Sequence, residues 1–298
     1  MPKNVFLNDY MRARFGCKVY KLALNAGMTC PNRDGKLGYG GCLFCSEGGS
    51  GEFAGPAHCS IPEQMRRERA LLASKVKNCR QVKYFSYFQA FTNTYAPVEK
   101  LRSLYMQAIE PEDIVGLSIA TRPDELPPEV LSLLSELVRE SGREIWVELG
   151  LQTIHESTAR YIRRGYSLAC FESALENLQC IGVKTVVHVI FGLPGETRDD
   201  MLSTVRYLSR KPIFGIKFQN LQVLRGTGLE EEYRQGKFVL PAMEEYTALV
   251  RDSLKILPAR IVIHRITGDP PRKLLIAPAW CLDKRRVMNA CLKDENII

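Results

Sequence analysis

Residues 167–209 read SLACFESALENLQCIGVKTVVHVIFGLPGETRDDMLSTVRYLS. The opening part, Ser167–Ile181, has the pattern of an amphipathic helix, and Gly182 sits where a helix C-cap belongs. Val183–Phe191 is almost continuously apolar, as a strand covered on both faces should be. Gly192 and Gly195 then let the backbone turn and approach a ligand closely. A Thr197–Asp200 capping interaction starts the next helix, Arg198–Ser209. Helix, strand and helix in this order form the repeating unit of a parallel α/β sheet.

The same rhythm continues on both sides. Strand candidates are Lys18–Leu24, Val82–Phe88, Ile114–Ala120, Glu144–Leu151, Gly215–Val223 and Arg260–Ile266. Helices are expected over Pro62–Lys77, Pro97–Glu110, Pro127–Ser141 and Pro241–Ile256, with Pro97 and Pro127 in first turns. Right-handed crossovers between parallel strands follow. About six units are too few for a closed eight-stranded barrel, so an open, partial (β/α)6 TIM-like barrel is expected. Chemistry in such folds gathers at the C-terminal strand ends. The rhythm breaks near residue 230. A core over 1–230 and a helix/strand extension over 231–298 packed on it are therefore expected.

With 298 residues, 45% apolar and 25% charged, the chain has the makeup of an ordinary globular protein. No apolar run is long enough to span a membrane, and the N-terminus lacks the apolar region of a secretion signal. A cytoplasmic location and no membrane partner are expected. The net charge of +8 permits an anionic partner such as nucleic acid without requiring one. Ten cysteines are many for a thiol-reducing compartment. Clustered ones read as metal ligands and scattered ones as buried thiols.

The cluster is Cys30-Pro-Asn-Arg-Asp-Gly-Lys-Leu-Gly-Tyr-Gly-Gly-Cys42-Leu-Phe-Cys45, directly after the first of the long strands. Its glycines let the loop wrap a bulky object, and thiolates are the ligands of iron–sulfur clusters. Three thiolates leave one iron of a four-iron cluster open. The competing reading is structural zinc, which needs a second ligand pair; His58 and Cys59 are the best candidates. The other cysteines are dispersed. The basic stretches around Arg66, Arg163-Arg164 and Lys284-Arg285-Arg286 read as solvated helix faces or, functionally, as phosphate contacts. His155 reads as a surface turn residue.

The cysteine loop resembles that of the radical S-adenosylmethionine (SAM) superfamily, in the long-spaced variant of the YhcC/YtqA group and of Elp3-type proteins. The resemblance to the YhcC/YtqA group extends through CPNRDG (30–35), SGEFAG (50–55), YFQAFTNTYAP (87–97), ATRPD (120–124), ELGLQT (148–153), HVIFGLPGE (188–196) and HRITGD (264–269). It implies a [4Fe-4S] cluster on Cys30, Cys42 and Cys45 and SAM as cofactor, with Phe44 against the adenine. Gln89, Thr92 and Asn93 stand where many relatives carry a Gly-Gly-Glu stretch for the SAM amine, a pattern from which this chain departs. Thr121 and Arg122 are implied at the methionine carboxylate, the alternative being a structural Arg122–Asp124 ion pair. Glu148 and Gln152 are implied at the ribose or amino acid end, and His188 and Gly192 at the cofactor. His188 is otherwise a hydrogen-bonded core histidine. His264 and Arg265 are implied on the substrate side. No general acid or base is named.

The implied reaction is reductive cleavage of SAM to a 5′-deoxyadenosyl radical that takes a hydrogen atom from substrate. By resemblance the substrate is a tRNA wobble uridine, its C5 side chain remodelled from carboxymethylaminomethyl to aminomethyl. The implied partners are tRNA, a flavodoxin- or ferredoxin-type electron donor and a companion methyltransferase. The alternatives are a radical SAM enzyme of a small metabolite and a zinc-stabilised, non-catalytic RNA-binding module.

Overall fold

The apolar runs become strands of one sheet in the computed structural model, which describes residues 4–77 and 79–293. In chain order the strands are β1 (Val5–Phe6), β2 (Val19–Leu24), β3 (Lys83–Phe88), β4 (Ile114–Thr121), β5 (Glu144–Gln152), β6 (Lys184–Phe191), β7 (Gly215–Asn220), β8 (Val223–Leu224), β9 (Val262–Arg265) and β10 (Leu275–Ala277). Eight form one sheet in the order β1-β9-β7-β6-β5-β4-β3-β2, and every neighbouring pair is parallel. β8 and β10 make a separate antiparallel pair.

The helices are α1 (Leu7–Phe15), α2 (Ile61–Val76), α3 (Val98–Ile109), α4 (Pro128–Glu140), α5 (Glu156–Tyr161), α6 (Leu168–Cys180), α7 (Arg198–Ser209), α8 (Gly228–Arg234), α9 (Met243–Ile256) and α10 (Lys284–Cys291). Thr197 and Asp200 complete the expected capping box at α7. The helices cover the outer face of the sheet, where Leu117, Val147, Val187 and Ile216 meet Leu134, Leu178, Val205 and Leu254 in the largest core. None of the described helices is long and apolar enough to cross a membrane.

The open α/β barrel is as expected, with two differences. The six expected units account for β2 to β7, but β9 and β1 prolong the sheet to eight strands. The segment after residue 230 is therefore partly a strand of the barrel itself: β9 covers the edge of β7, which would otherwise be left unpaired. The curl stays open between β1 and β2. Helix α1, which the sequence pattern did not announce, packs against both β2 and β9.

Side chains on the inner face fill the barrel in layers. Phe85 and Trp146 pack with ring centroids 4.1 Å apart, and Tyr10 of α1 meets Phe214 at 5.0 Å. This aromatic plug closes the N-terminal end. Gly116 makes room for it. A Cβ there would lie 2.2 Å from Phe85 Cε2 and 2.6 Å from the Glu144 carbonyl oxygen. Gly116→Ala is expected to cost about 1–3 kcal/mol by overpacking, read as a lower urea midpoint at unchanged slope.

Candidate active site

Above the plug lies a buried charged layer built from lone polar residues in apolar strands. Glu148 of β5 is 1% exposed. One carboxylate oxygen accepts from Lys21 Nζ at 2.9 Å and Ser118 Oγ at 2.7 Å. The other accepts from His188 Nε2 at 2.7 Å and from Lys217 Nζ. Burial pushes this carboxyl up, but Lys21, Lys217 and His188 outweigh it and hold it well below the usual carboxylate range. Burial, aided by the Lys217 charge, lowers His188 to about 4. The imidazole is therefore neutral at pH 7, with its proton on Nε2 toward Glu148. Its Nδ1 lies 3.4 Å from Gln219 Nε2 and accepts from it.

A pH titration followed by histidine 15N NMR should show His188 unchanged from pH 8 down to about 5. Because its folded value lies below the ordinary 6.5, the unfolded chain binds a proton first. This histidine's share of stability is therefore full above 6.5 and falls as the pH drops toward about 4.

The layer forms the floor of a cavity of about 1140 Å³ at the C-terminal strand ends. An ordinary small-molecule pocket holds ~300–1,000 Å³, so there is room for a cofactor and a second molecule. Cys30, Cys42 and Cys45 all face it. Their loop is clamped from several sides. Asn32 Nδ2 donates to the carbonyls of Arg163 at 2.8 Å and Arg164 at 3.1 Å. The Leu43 amide donates to Ile162 and the Leu43 carbonyl accepts from Leu229. Arg33 donates to the Cys45 carbonyl at 2.9 Å and to that of Ser46. Gly41, at φ 84°, leaves space for this guanidinium; a Cβ would lie 2.8 Å from Arg33 Nε.

Two donors point at sulfur: Asn32 Nδ2 lies 3.5 Å from Cys42 Sγ, and Ser50 Oγ 3.8 Å from Cys45 Sγ. Burial, with the neighbouring Cys45 adding to it, pushes the Cys42 thiol up to about 12. Among the described residues no three His, Cys, Asp or Glu side chains converge as ligands of a single metal ion. A cubane places its ligand thiolates on different irons, and so farther apart. Cys59, a candidate zinc ligand, is buried at the start of α2 beside Glu63 and does not face the cavity.

A family model described as "Radical SAM superfamily" matches residues 29–208, and one described as "Radical_SAM C-terminal domain" matches 213–294. This chain belongs to the radical SAM superfamily. It is 43% identical over 288 residues to the Bacillus subtilis uncharacterized protein YtqA, covering 97% of this chain and 88% of that one. It is 27% identical over 166 residues to a tRNA uridine(34) acetyltransferase of Dehalococcoides mccartyi, covering 55% of this chain and 35% of that one. The structure of Elp3 from Methanocaldococcus infernus superposes with a TM-score of 0.64 at 20% identity, over 87% of this chain and 58% of that one. That likeness concerns the fold.

The cavity fits the groups that radical SAM proteins generally use. The three loop cysteines would hold a [4Fe-4S] cluster, and the strand ends beside them carry buried polar atoms without a protein partner: Thr92 Oγ1 and Gln152 Oε1. Ala90, Phe91 and Gln152 also adopt positive φ of 77°, 58° and 67°, a conformation that non-glycine residues keep only when the surroundings enforce it. Unpaired polar atoms on a strained rim suit the amino acid end of SAM.

Phe44, Gln89, Thr121, Arg122, Gln152, His188, His264 and Arg265 of this radical SAM protein all line the cavity. Other expectations need correction. Asn93 is buried behind the rim, its Nδ2 donating to the carbonyls of Ala90 at 3.1 Å and Ala120 at 2.9 Å. It straps β3 to β4 and does not reach the cavity. Gly192 faces Pro241, 2.8 Å from where its Cβ would be, because the loop packs there. Glu148 lines the floor, but its oxygens are committed to four protein donors, which leaves it no ribose to hold. His188 is likewise engaged at both nitrogens. Arg122 lines the cavity while its guanidinium grips Asp124 at 2.9 and 2.7 Å and donates to the Arg164 carbonyl at 3.0 Å, as the ion-pair alternative has it.

Arg164, read as a solvated basic residue, is 1% exposed. Its guanidinium donates to the carbonyls of Leu151 at 2.9 Å and Thr153 at 2.7 Å and so fixes the end of β5. Lys21 and Lys217 escape the sequence reading altogether. The signal was a single lysine inside each of the apolar runs VYKLAL and GIKFQN, since lysines are almost never buried without a partner.

Proposed function

We propose that this radical SAM enzyme acts on the wobble uridine of tRNA, converting a 5-carboxymethylaminomethyl group to 5-aminomethyl. The observation that carries the reading is the charge of the chamber. Lys21, Arg33, Arg122, Lys217 and Arg265 line it and Arg272, Lys273 and Lys284 stand with them, against Glu52, Glu148 and Asp269. A positively lined cleft favours a polyanionic substrate and steers it inward. The named tRNA uridine(34) activity of a relative supports the same substrate class.

When bound, the cluster and SAM supply a carbon-centred radical that removes a hydrogen atom from substrate. The chain's own residues do the rest. Asn32 and Arg33 hold the loop in shape, and Arg122 and Gln152 orient the cofactor's polar end. The aromatic plug seals the chamber against water from below. A small flavodoxin- or ferredoxin-type protein would deliver the electron and take it back when the substrate radical, formed at the carbon beside the carboxylate, is oxidised to an imine that water splits into the aminomethyl nucleoside and glyoxylate. The primary amine produced is a methyl acceptor, which makes a companion methyltransferase the natural consumer of the product.

The test is nucleoside mass spectrometry of tRNA from a strain lacking the gene, alongside anaerobic conversion of that tRNA by the purified protein, SAM and reductant. The carboxymethylaminomethyl nucleoside should accumulate in the strain and disappear in the reaction. Unchanged wobble uridines in both would reject the substrate and favour a small-metabolite substrate instead.

A further inference from the structure

On β9, Ile263 pairs with Ile216, but the next pair is Arg265 with Lys217, a register shift that skips His264. Such a bulge re-aims a side chain. Here two consecutive residues, His264 and Arg265, both face the cavity, whereas Ile263 belongs to the outer core. The bulge thus brings a guanidinium to a floor that already holds Lys21 and Lys217.

Arg265 forms no hydrogen bond or salt bridge with another described residue. The carboxylate at its level, Glu148, is committed to Lys21, Lys217, His188 and Ser118. Arg265 thus stands beside a carboxylate that two lysines already share. Both ring nitrogens of His264 are buried without a partner, its ring lying edge-on to Trp146 at 5.1 Å and Phe214 at 5.6 Å. A guanidinium presents a planar fork matched to a carboxylate, and an unbalanced positive site beside an apolar wall strengthens such a pair.

We propose that the barrel floor is a carboxylate-binding subsite, in which the Arg265 guanidinium takes the carboxylate of the substrate and His264 stands beside it. The inference deepens the proposed function and rests on its reading of the cavity as the reaction chamber. Glu148 and Lys217 of the floor are 1% and 3% exposed. A carboxylate on a slender side chain reaches it, whereas the phosphate backbone of a folded nucleic acid is stopped at the rim. The subsite would select substrates by a terminal acid and hold the adjoining carbon below the cluster loop.

The test uses the full, anaerobically reconstituted protein with SAM saturating and reductant omitted, so that the cofactor's own amino acid site is filled. N-methylglycine and its amide, N-methylglycinamide, are compared by ligand-observed NMR, with inorganic phosphate as competitor. 5-Carboxymethylaminomethyluridine and its carboxamide are compared in parallel by equilibrium dialysis. In each pair the acid should bind about tenfold more tightly, the range of a charge-assisted hydrogen bond. Arg265→Gln should erase the preference and Arg265→Lys restore part of it. Preference within the small pair but no binding of either nucleoside would keep the subsite and reject the uridine substrate. Equal binding of acid and amide by the unmodified protein, phosphate outcompeting N-methylglycine, or a preference untouched by Arg265→Gln would each overturn the subsite.

Discussion

Anaerobic reconstitution of Cys42→Ala should give a colourless protein, its iron falling from about four atoms per chain to near zero, and its release of 5′-deoxyadenosine to background. Cys30→Ala and Cys45→Ala should do the same. A cubane held by three thiolates has no spare ligand, and this cavity offers no replacement. Its other cysteine, Cys281, lies in the wall with its thiol donating to the Pro278 carbonyl at 3.0 Å. Cys59→Ala is the matched control, because that thiol is buried outside the cavity; it should keep colour and iron. Iron analysis, the absorbance near 400 nm and chromatography of the nucleoside product read the result. Full iron in any of the three loop variants would show that the loop thiols are not the ligands.

Glu148→Gln should be the most damaging single change in the barrel interior. It leaves Lys217 buried, and Lys21 half-buried, without their counter-charge, and breaking a buried ion pair in this way costs about 3–5 kcal/mol. The double variant Glu148→Gln/Lys217→Met removes charge from both sides and should recover part of that loss. Urea unfolding of the two variants against the parent measures the difference. The pH dependence carries a further signature. The Glu148 carboxyl is held well below its ordinary value of 4.5 in the folded chain. Its contribution is therefore present above that value and is lost as the pH falls through the folded one. Glu148→Gln should flatten this acid limb. A variant as stable as the parent at pH 7 would mean that the network does not hold the floor together.

The resemblance of ATRPD, ELGLQT and HVIFGLPGE to family motifs pointed to the strand ends correctly but overread some of their residues. Asn93 and Glu148 sit in motifs at the cavity, yet their side chains make their hydrogen bonds to the protein itself. A motif reports that a residue lies near a site; whether its polar atoms are free depends on neighbours distant in sequence. Glu148 is spent because Lys21, Ser118, His188 and Lys217 arrive from four other strands. The same reason hid Arg164, whose burial depends on the carbonyls of Leu151 and Thr153.

The amino-acid order alone determined the parallel α/β class, the cysteine loop and its place after a strand, because apolar periodicity, glycine and thiol spacing are local properties. The eighth strand, the aromatic plug and the net positive floor were decided only when the sheet curled. Curling brings inner-face residues from seven strands into one small volume, and there the balance of charge belongs to no segment by itself.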